Sequence, residues 1–269
     1  MQALAVLCSL ALICFASPVV QQQAASELAR TVYAIDLSEP FPTSARSCLS
    51  FYQTIFVRGY SPAGQGQLDP YACNTIWDAS TAGWGTEVYI TPQPNSNKSG
   101  AQQLGEMVGG LRNCGLGVRS VWIQVTLPIN WYTSTWTNIN FLNSILARAS
   151  RGGLSIGIYT SLYDWDQITG GAKINNAMLW YWNVYGQGPN AQSAANFNDF
   201  RPFGGWTAPQ FKQIGQNESI CGVTANRDIY IVSETAKFAG MANCEKSEQI
   251  VVGSLGLGSV VPGKVEIKR

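Results

Sequence analysis

The stretch V-R-S-V-W-I-Q-V-T-L at positions 118–127 has the apolar bulk of a buried strand. Residues i and i+2 of a strand point to the same side, so Trp122, Gln124 and Thr126 share one face. Polar groups that are buried without partners cost free energy. Gln124 and Thr126 therefore need hydrogen-bond partners, and the rest of the chain must show why a core strand carries them.

Helical patterns flank this strand on both sides. Ser99-Gly-Ala-Gln102 forms a capping box that opens a helix, which runs to about Asn113 and stops at Gly115. A second helix is predicted near 137–150, closed by two glycines. Further strand patterns lie at 32–37, 54–60, 87–91, 154–160 and 178–185, weaker ones near 209–214 and 228–233, and another helical stretch near 68–82.

Strands that alternate with helices at intervals of about 30 residues indicate βαβ units and a parallel sheet. Eight strand candidates favour a barrel. The last three have little room for helices between them, so the helical layer is expected to be incomplete there. We predict a single α/β barrel domain over residues 18–236 and a C-terminal tail over residues 237–269.

The composition excludes several classes of function. The 269-residue chain is 46% hydrophobic and 12% charged, and its net charge of +1 comes without a basic run. A nucleic-acid or anionic-membrane partner is therefore not expected. The absence of histidine excludes Ser-His-Asp and Cys-His catalysis and histidine-containing zinc sites. We expect no cofactor and no metal, and a monomer whose chemistry uses carboxylates, hydroxyls, amides, Lys/Arg or thiols.

The N-terminus is uncharged and apolar for about fifteen residues and then reaches small residues near Ala16 and Ser17. This pattern predicts a signal peptide over residues 1–17 and hence a secreted, extracellular protein. A membrane anchor is the alternative, for which the run is short. Two glycosylation sequons, at Asn97 and Asn217, suit secretion.

Five cysteines remain after removal of the signal peptide, which carries Cys8 and Cys14 with it. An oxidising compartment then predicts two disulfides and one unpaired thiol. The spacing does not determine the connectivity. We favour Cys48 with Cys221 and Cys73 with Cys114, which leaves Cys244 unpaired.

Functional residues of parallel barrels lie at the C-terminal ends of the strands. Polar groups and aromatic rings both concentrate at the predicted ends. Such rings stack on sugar C–H faces while polar groups bind hydroxyls, so a glycan cleft is predicted, with core packing as the alternative for each ring. The polar set is Asp36, Arg58, Tyr60, Thr91, Gln124, Thr126, Tyr159–Ser161, Asp164, Asp166, Asn183, Tyr185 and Asn226–Asp228; the aromatic set is Trp131, Tyr132, Trp136, Trp165, Trp180, Trp182 and Trp206.

Four segments spread over the chain resemble secreted lysozymes of glycoside hydrolase family 25, most closely the nematode and amoebic branch. The resemblance covers about residues 32–235. It implies a modified, flattened β/α barrel of about five βα units and three further strands, and bacterial peptidoglycan as the partner, in innate defence or digestion. The segments are Y-A-I-D-L-S-E-P (33–40), L-S-I-G-I-Y-T-S-L-Y-D-W (154–165), L-W-Y-W-N-V-Y (179–185) and F-N-D-F-R-P-F-G-G-W (197–206).

The resemblance also implies where the catalytic groups should lie. Active members of that family carry a D-x-E pair at the end of the fourth barrel strand, which falls here on Gln124 and Thr126. A supporting acid at the end of the first strand matches Asp36. The position in the last strand falls on Asn226, or on Asp228 if the alignment slips by two. Substrate contacts are predicted from Gln124, Thr126, Tyr159, Trp180, Trp182 and Asp228.

Most glycosidases need one carboxylic acid to protonate the leaving oxygen and a second carboxylate as base or nucleophile. A glutamine amide donates no proton at neutral pH, and a threonine hydroxyl is a very poor acid. We therefore expect a lysozyme-like protein with impaired catalysis. The first alternative is an active muramidase that uses Asp36 with Asp164, Asp166 or Asp228, and the second is a secreted protein-binding barrel without a glycan role.

Overall fold

The computed structural model describes residues 30–40, 43–232, 249–253, 255 and 263–267. The predicted signal peptide and Cys244 lie outside these ranges. None of the described helices is long and apolar enough to cross a membrane.

The described chain folds into strands and α-helices that alternate through its first two thirds. In chain order the strands are β1 (Arg30–Leu37), β2 (Thr54–Ser61), β3 (Gln67–Leu68), β4 (Gly85–Ile90), β5 (Gly117–Val118), β6 (Ser120–Gln124), β7 (Ser155–Thr160), β8 (Lys173–Ile174), β9 (Met178–Trp182), β10 (Phe211–Ile220), β11 (Val223–Val232), β12 (Val251–Val252) and β13 (Val265–Glu266). The helices are α1 (Ala72–Thr81), α2 (Gly100–Asn113), α3 (Thr135–Arg151) and α4 (Leu162–Thr169).

Eight strands close into a barrel in the order β1-β11-β10-β9-β7-β6-β4-β2, with β2 pairing back to β1. Six of these neighbouring pairs are parallel, whereas β11 runs antiparallel to both β10 and β1. The predicted α/β barrel is confirmed, including the sparse helical layer around the last strands. The two final strands are ten residues long and exceed the predicted 209–214 and 228–233, because buried polar residues interrupt their apolar pattern.

The helices cover the outside of the parallel strands, and a serine hydroxyl caps the start of three of the four described, α2, α3 and α4. The hydroxyl of Ser99 accepts from the backbone N–H of Gln102 at the start of α2, which is one half of the predicted capping box. The side chain of Gln102 donates to Glu106 instead of binding back to Ser99. The short helix α4 was not predicted. It begins at the cap Ser161, whose hydroxyl accepts from the N–H of Asp164.

The strands bury two separate cores because successive side chains point to opposite faces. The outward-facing residues pack against the helices. The inward-facing residues fill the barrel with mostly aromatic side chains, so the interior is a packed core. The inner core consists of Val32, Ala34, Phe56, Tyr89, Trp122, Tyr159, Met178, Trp180, Phe211 and Tyr230.

Two disulfides join Cys48 to Cys221 and Cys73 to Cys114, which confirms the favoured pairing. The first links the turn region after β1 to the β10–β11 turn. The second links α1 to the C-terminal end of α2, as expected for neighbouring helices.

Part of the predicted C-terminal tail packs on the N-terminal end of the barrel. Strand β12 pairs in parallel with β5, and the next residue, Gly253, donates its N–H to the carbonyl of Thr86 at 2.9 Å. The N–H of Leu255 donates to the carboxylate of buried Glu87 at 3.0 Å. Strand β13 pairs with β8. The segment with Gly253 and Leu255 thus covers the N-terminal end of the barrel, whereas β13 also binds α3 through Asn143 and Val265.

Replacing Gly253 with alanine is expected to lower the free energy of unfolding by about 2–3 kcal/mol. Gly253 has φ +82, and an added Cβ would lie 2.2 Å from Ser120 Oγ and 2.7 Å from Ser120 N. The control is Gly83→Ala, since Gly83 has φ +88 but no atom within 4 Å of an added Cβ. Chemical denaturation measures both. Equal losses would show that residue 253 does not pack on Ser120.

Candidate functional site

The C-terminal ends of the parallel strands form one mouth of the barrel. Gln124 ends β6, Trp182 ends β9 and Thr91 directly follows β4. Asp36 lies near the end of β1. The antiparallel strands β10 and β11 bring further polar side chains to the same level. The mouth therefore brings Thr91, Gln124, Thr126 and Asp36 to one end of the barrel.

Gln124 and Thr126 are hydrogen-bonded to each other in this mouth. The hydroxyl of Thr91 donates to Gln124 Oε1 at 2.6 Å, and Gln124 Nε2 donates to Thr126 Oγ1 at 3.1 Å. The indole N–H of Trp131 donates to the backbone carbonyl of Thr126 at 3.0 Å. This neutral network removes the cost of the polar pair, and Gln124 remains partly exposed.

Asp36 is 3% exposed and accepts hydrogen bonds from two amides. Gln213 Nε2 donates to its Oδ2 at 2.7 Å, and Asn226 Nδ2 donates to its Oδ1 at 2.9 Å. Asp36 pairs with Asn226 across β1 and β11, whereas Asp228 pairs with Ala34 one step deeper in the barrel. Of the two predicted last-strand positions, Asn226 thus lies opposite Asp36 at the mouth.

Asp228 is fully buried below Asn226, and the indole N–H of Trp180 donates to its Oδ1 at 2.9 Å. Burial, together with the charge of Asp36, raises the pKa of Asp228 well above 3.8. Burial also raises the pKa of Asp36 from 3.8 to about 6, although hydrogen bonds from Gln213, Asn226 and Asp228 lower it. Asp228 therefore holds its proton beside Asp36, which is the first of the two to ionise.

Gln213 connects this carboxyl pair to the opposite wall and is absent from the predicted site residues. Its Oε1 accepts from the hydroxyl of Tyr159 at 2.9 Å and from Gln216 Nε2 at 2.6 Å. The ring of Tyr159 stacks on Trp180 with centroids 4.2 Å apart. The sequence signal for Gln213 is its spacing of two residues from the apolar Phe211. Residues i and i+2 of a strand share a face, so Gln213 points into the barrel with Phe211.

The predicted aromatic set divides into core and surface residues. Trp180 has no exposed surface and Tyr159 is almost as buried, so neither ring presents a free face at the mouth. Trp182 is partly exposed at the end of β9, and Tyr132 and Trp136 are exposed in the segment after β6. The remaining three tryptophans, Trp131, Trp165 and Trp206, pack in the outer core.

Of the two acids after β7, only Asp164 faces the mouth. Asp164 is buried, and the indole N–H of Trp182 donates to its Oδ2 at 3.0 Å. Asp166 is exposed on α4. Tyr60 donates its hydroxyl to Glu106 on α2 and so points outward, away from the mouth.

Three other predicted positions make ion pairs or lie at the surface. Arg58 donates from Nε to Asp69 Oδ2 at 2.7 Å. Asn183 donates to Asp199, which also binds the buried amine of Lys212. Tyr185 is exposed. Among the described residues, no group of three or more His, Cys, Asp and Glu side chains is placed to hold a metal ion.

The raised pKa of Asp36 predicts a loss of stability as pH rises. A carboxyl with a higher pKa in the folded state adds stability at low pH that disappears between its unfolded and folded pKa values, here 3.8 and about 6. The contribution is about 3 kcal/mol at about 1.4 kcal/mol per pH unit. Asp36→Asn should therefore show a flatter fall in the free energy of unfolding between pH 4 and 7 than the wild type. Parallel curves would contradict this assignment.

Comparison with known proteins places the chain in a family. The family model described as "Lys-1: Lysozyme-like protein 1" matches residues 27–214. Lysozyme-like protein 7 of Caenorhabditis elegans is 48% identical over 239 residues, covering 87% of this chain and 83% of that protein. Probable GH family 25 lysozyme 2 of Dictyostelium discoideum is 30% identical over 196 residues, covering 71% of this chain and 87% of that protein.

Solved structures show the same fold at low identity. A family GH25 lysozyme from Aspergillus fumigatus superposes with a TM-score of 0.59 at 15% identity, covering 77% of this chain and 97% of that chain. The modular autolysin LytC from Streptococcus pneumoniae, solved with a synthetic peptidoglycan ligand, gives a TM-score of 0.55 at 11% identity, covering 74% of this chain and 46% of that chain. With the relatives above, the barrel fold and the extent of the matches show that the chain belongs to the lysozyme-like proteins of the glycoside hydrolase family 25 type.

Proposed function

We propose that this protein is secreted, that it binds bacterial peptidoglycan through the mouth of its barrel in innate defence or digestion, and that it hydrolyses this glycan poorly. The observation that carries the proposal is the neutral pair Gln124 and Thr126, hydrogen-bonded to each other and to Thr91. By the resemblance to family 25, these two positions are those of the catalytic D-x-E pair.

Such a pair binds sugar hydroxyls but supplies no acid or base. General acid–base help is worth roughly 10²–10⁴-fold in rate for each group. Losing both groups from one mouth leaves little hydrolysis. Asp36 and Asp228 do not replace them in this proposal, because both are buried and Asp36 is held by two amides.

Binding is supported by aromatic and amide groups that remain open at the mouth. Trp182 is partly exposed, and Tyr132 and Trp136 are exposed nearby in sequence after β6. Aromatic faces of this kind suit the C–H faces of sugars, while Gln124 offers amide hydrogen bonds to hydroxyls. In this proposal Tyr159, Trp180 and Asp228 support the site from inside the barrel.

Secretion is proposed from the apolar N-terminus together with two disulfides, which persist in oxidising compartments. Asn97 and Asn217, the predicted glycosylation sites, are both exposed. We propose them as acceptors in a monomeric extracellular protein.

Purified mature protein should be retained on insoluble peptidoglycan at low salt, and Trp182→Ala should weaken retention at least about fivefold, because a stacked ring face is lost. The control is Trp77→Ala, since Trp77 is exposed on α1 and away from the mouth. Sedimentation of bound protein measures the effect. No retention of the wild type would contradict any glycan role and favour a protein-binding barrel.

The double substitution Gln124→Asp with Thr126→Glu should create muramidase activity, because it restores an acid and a carboxylate two residues apart. Release of reducing ends from peptidoglycan measures it, and each single substitution serves as a control with much less release. A folded double variant that binds glycan but releases nothing would show that the mouth has changed beyond these two positions.

An active muramidase is the second candidate, favoured by the raised pKa of Asp36, about 6, beside the protonated Asp228. Such a pair holds a proton near the pH at which a general acid works best. This function requires that the wild type release reducing ends and that Asp36→Asn abolish the release. That result would replace the proposal of poor hydrolysis.

A further inference from the structure

We infer that Asp164 is a positioning residue for glycan binding: its buried carboxylate fixes the indole of Trp182 and the loop that follows Thr126. The inference rests on the proposed function. It holds that Asp164 increases the affinity for glycan without contacting the sugar.

The contact with Trp182 leaves the ring partly open while its edge is held. The indole Nε1 donates to Asp164 Oδ2 at 3.0 Å. Asp164 is 3% exposed, whereas Trp182 retains part of its surface at the end of β9. A ring held by its N–H keeps one orientation before a ligand arrives, so binding does not have to order it.

The second contact reaches the loop after β6. The Asp164 carboxyl also lies against the backbone of Leu127, which directly follows Thr126. Leu127 has φ 55 and ψ 74, a left-handed conformation that costs a non-glycine residue free energy. Asp164 therefore holds a strained residue beside the Gln124–Thr126 pair.

The third contact fixes the backbone of Asp164. Ser161 caps α4, and its hydroxyl accepts from the N–H of Asp164 at 3.0 Å. Strands β6, β7 and β9 are neighbours in the barrel, so Asp164 joins three adjacent strand ends. Burial raises the pKa of Asp164, whereas contacts with Trp182, Ser161 and Leu127 lower it. The carboxylate accepts from the Trp182 indole and in this inference serves as an acceptor, not as the missing catalytic acid.

Calorimetric titration with soluble peptidoglycan fragments tests the inference on four variants. Asp164→Ala should weaken binding about tenfold, and Asp164→Asn, which keeps one acceptor oxygen, should fall between it and the wild type. Trp182→Phe, which keeps a ring but loses the N–H, should also weaken binding. Adding Trp182→Phe to Asp164→Ala should cost little more, because the two residues act through one contact.

Asp166→Ala is the matched control, since this exposed aspartate lies on the same short helix and should bind as the wild type does. Tryptophan emission gives a readout without glycan: Asp164→Ala should change the spectrum, and the change should be absent in the Trp182→Phe background. If Asp164→Ala does not fold, the binding of Asp164→Asn is compared with that of Asp166→Asn, and only Asp164→Asn should bind more weakly than the wild type.

The titrations distinguish failure of the proposed function from failure of the role assigned to Asp164. Wild-type protein that binds no fragment would overturn the proposed function and this inference with it. Wild-type protein that binds, with Asp164→Ala and Asp164→Asn equally tight or with strictly additive losses in the double variant, would overturn the role of Asp164 alone.

Discussion

The structure of the barrel mouth depends on the burial of one carboxyl group, that of Asp36, between the first and last strands of the barrel. Asp36 lies at the seam between β1 and β11, and its partners are the amides of Gln213 and Asn226 and the protonated carboxyl of Asp228. A buried charge needs such partners, because unpaired it costs several kcal/mol. These contacts join the side chains of the last two strands to the first strand at the level of the mouth.

The same constraint bears on the residues across the mouth. Two close carboxylates repel, and one of them must then carry a raised pKa. Asp36 and Asp228 already form one such pair inside the barrel. On the proposed assignment, Gln124 and Thr126 remove a second acidic pair and replace it with a network of neutral hydrogen bonds. A binding site can use that network directly, whereas hydrolysis requires the charges that it lacks.

Several elements were predictable because they depend on local pattern. The Ser99 capping box specifies the start of α2, and the apolar runs specify the parallel strands. The final two strands were harder to delimit, since Lys212 and Glu218 are buried in β10 and are paired with Asp199 and Arg227, which lie outside that strand. The spacing to Phe211 places Gln213 on the inward face of its strand, but the partners of Gln213 and Asp164 lie on other strands, which spacing along the chain does not reveal. The burial of individual rings was equally unpredictable from the sequence. Trp180 and Trp182 are two residues apart on one face of β9, yet Trp180 lies deep in the barrel and is fully buried, whereas Trp182 lies at the mouth and is partly exposed.

The C-terminal region also makes contacts that its sequence pattern does not indicate. Its Gly/Val-rich composition indicates no regular element, yet Gly253 fits against Ser120 where no side chain could, and Leu255 joins the inner core. The barrel is thus closed at its base by a segment whose role depends on tertiary fit, while its open end carries the candidate site.

The most direct test follows binding and turnover in one sample. Wild-type protein is titrated with a soluble peptidoglycan fragment in a calorimeter, and the contents are then analysed by mass spectrometry for cleaved products. We predict saturable binding with the fragment recovered intact. Cleavage of the fragment at the rate of an active lysozyme would contradict the account.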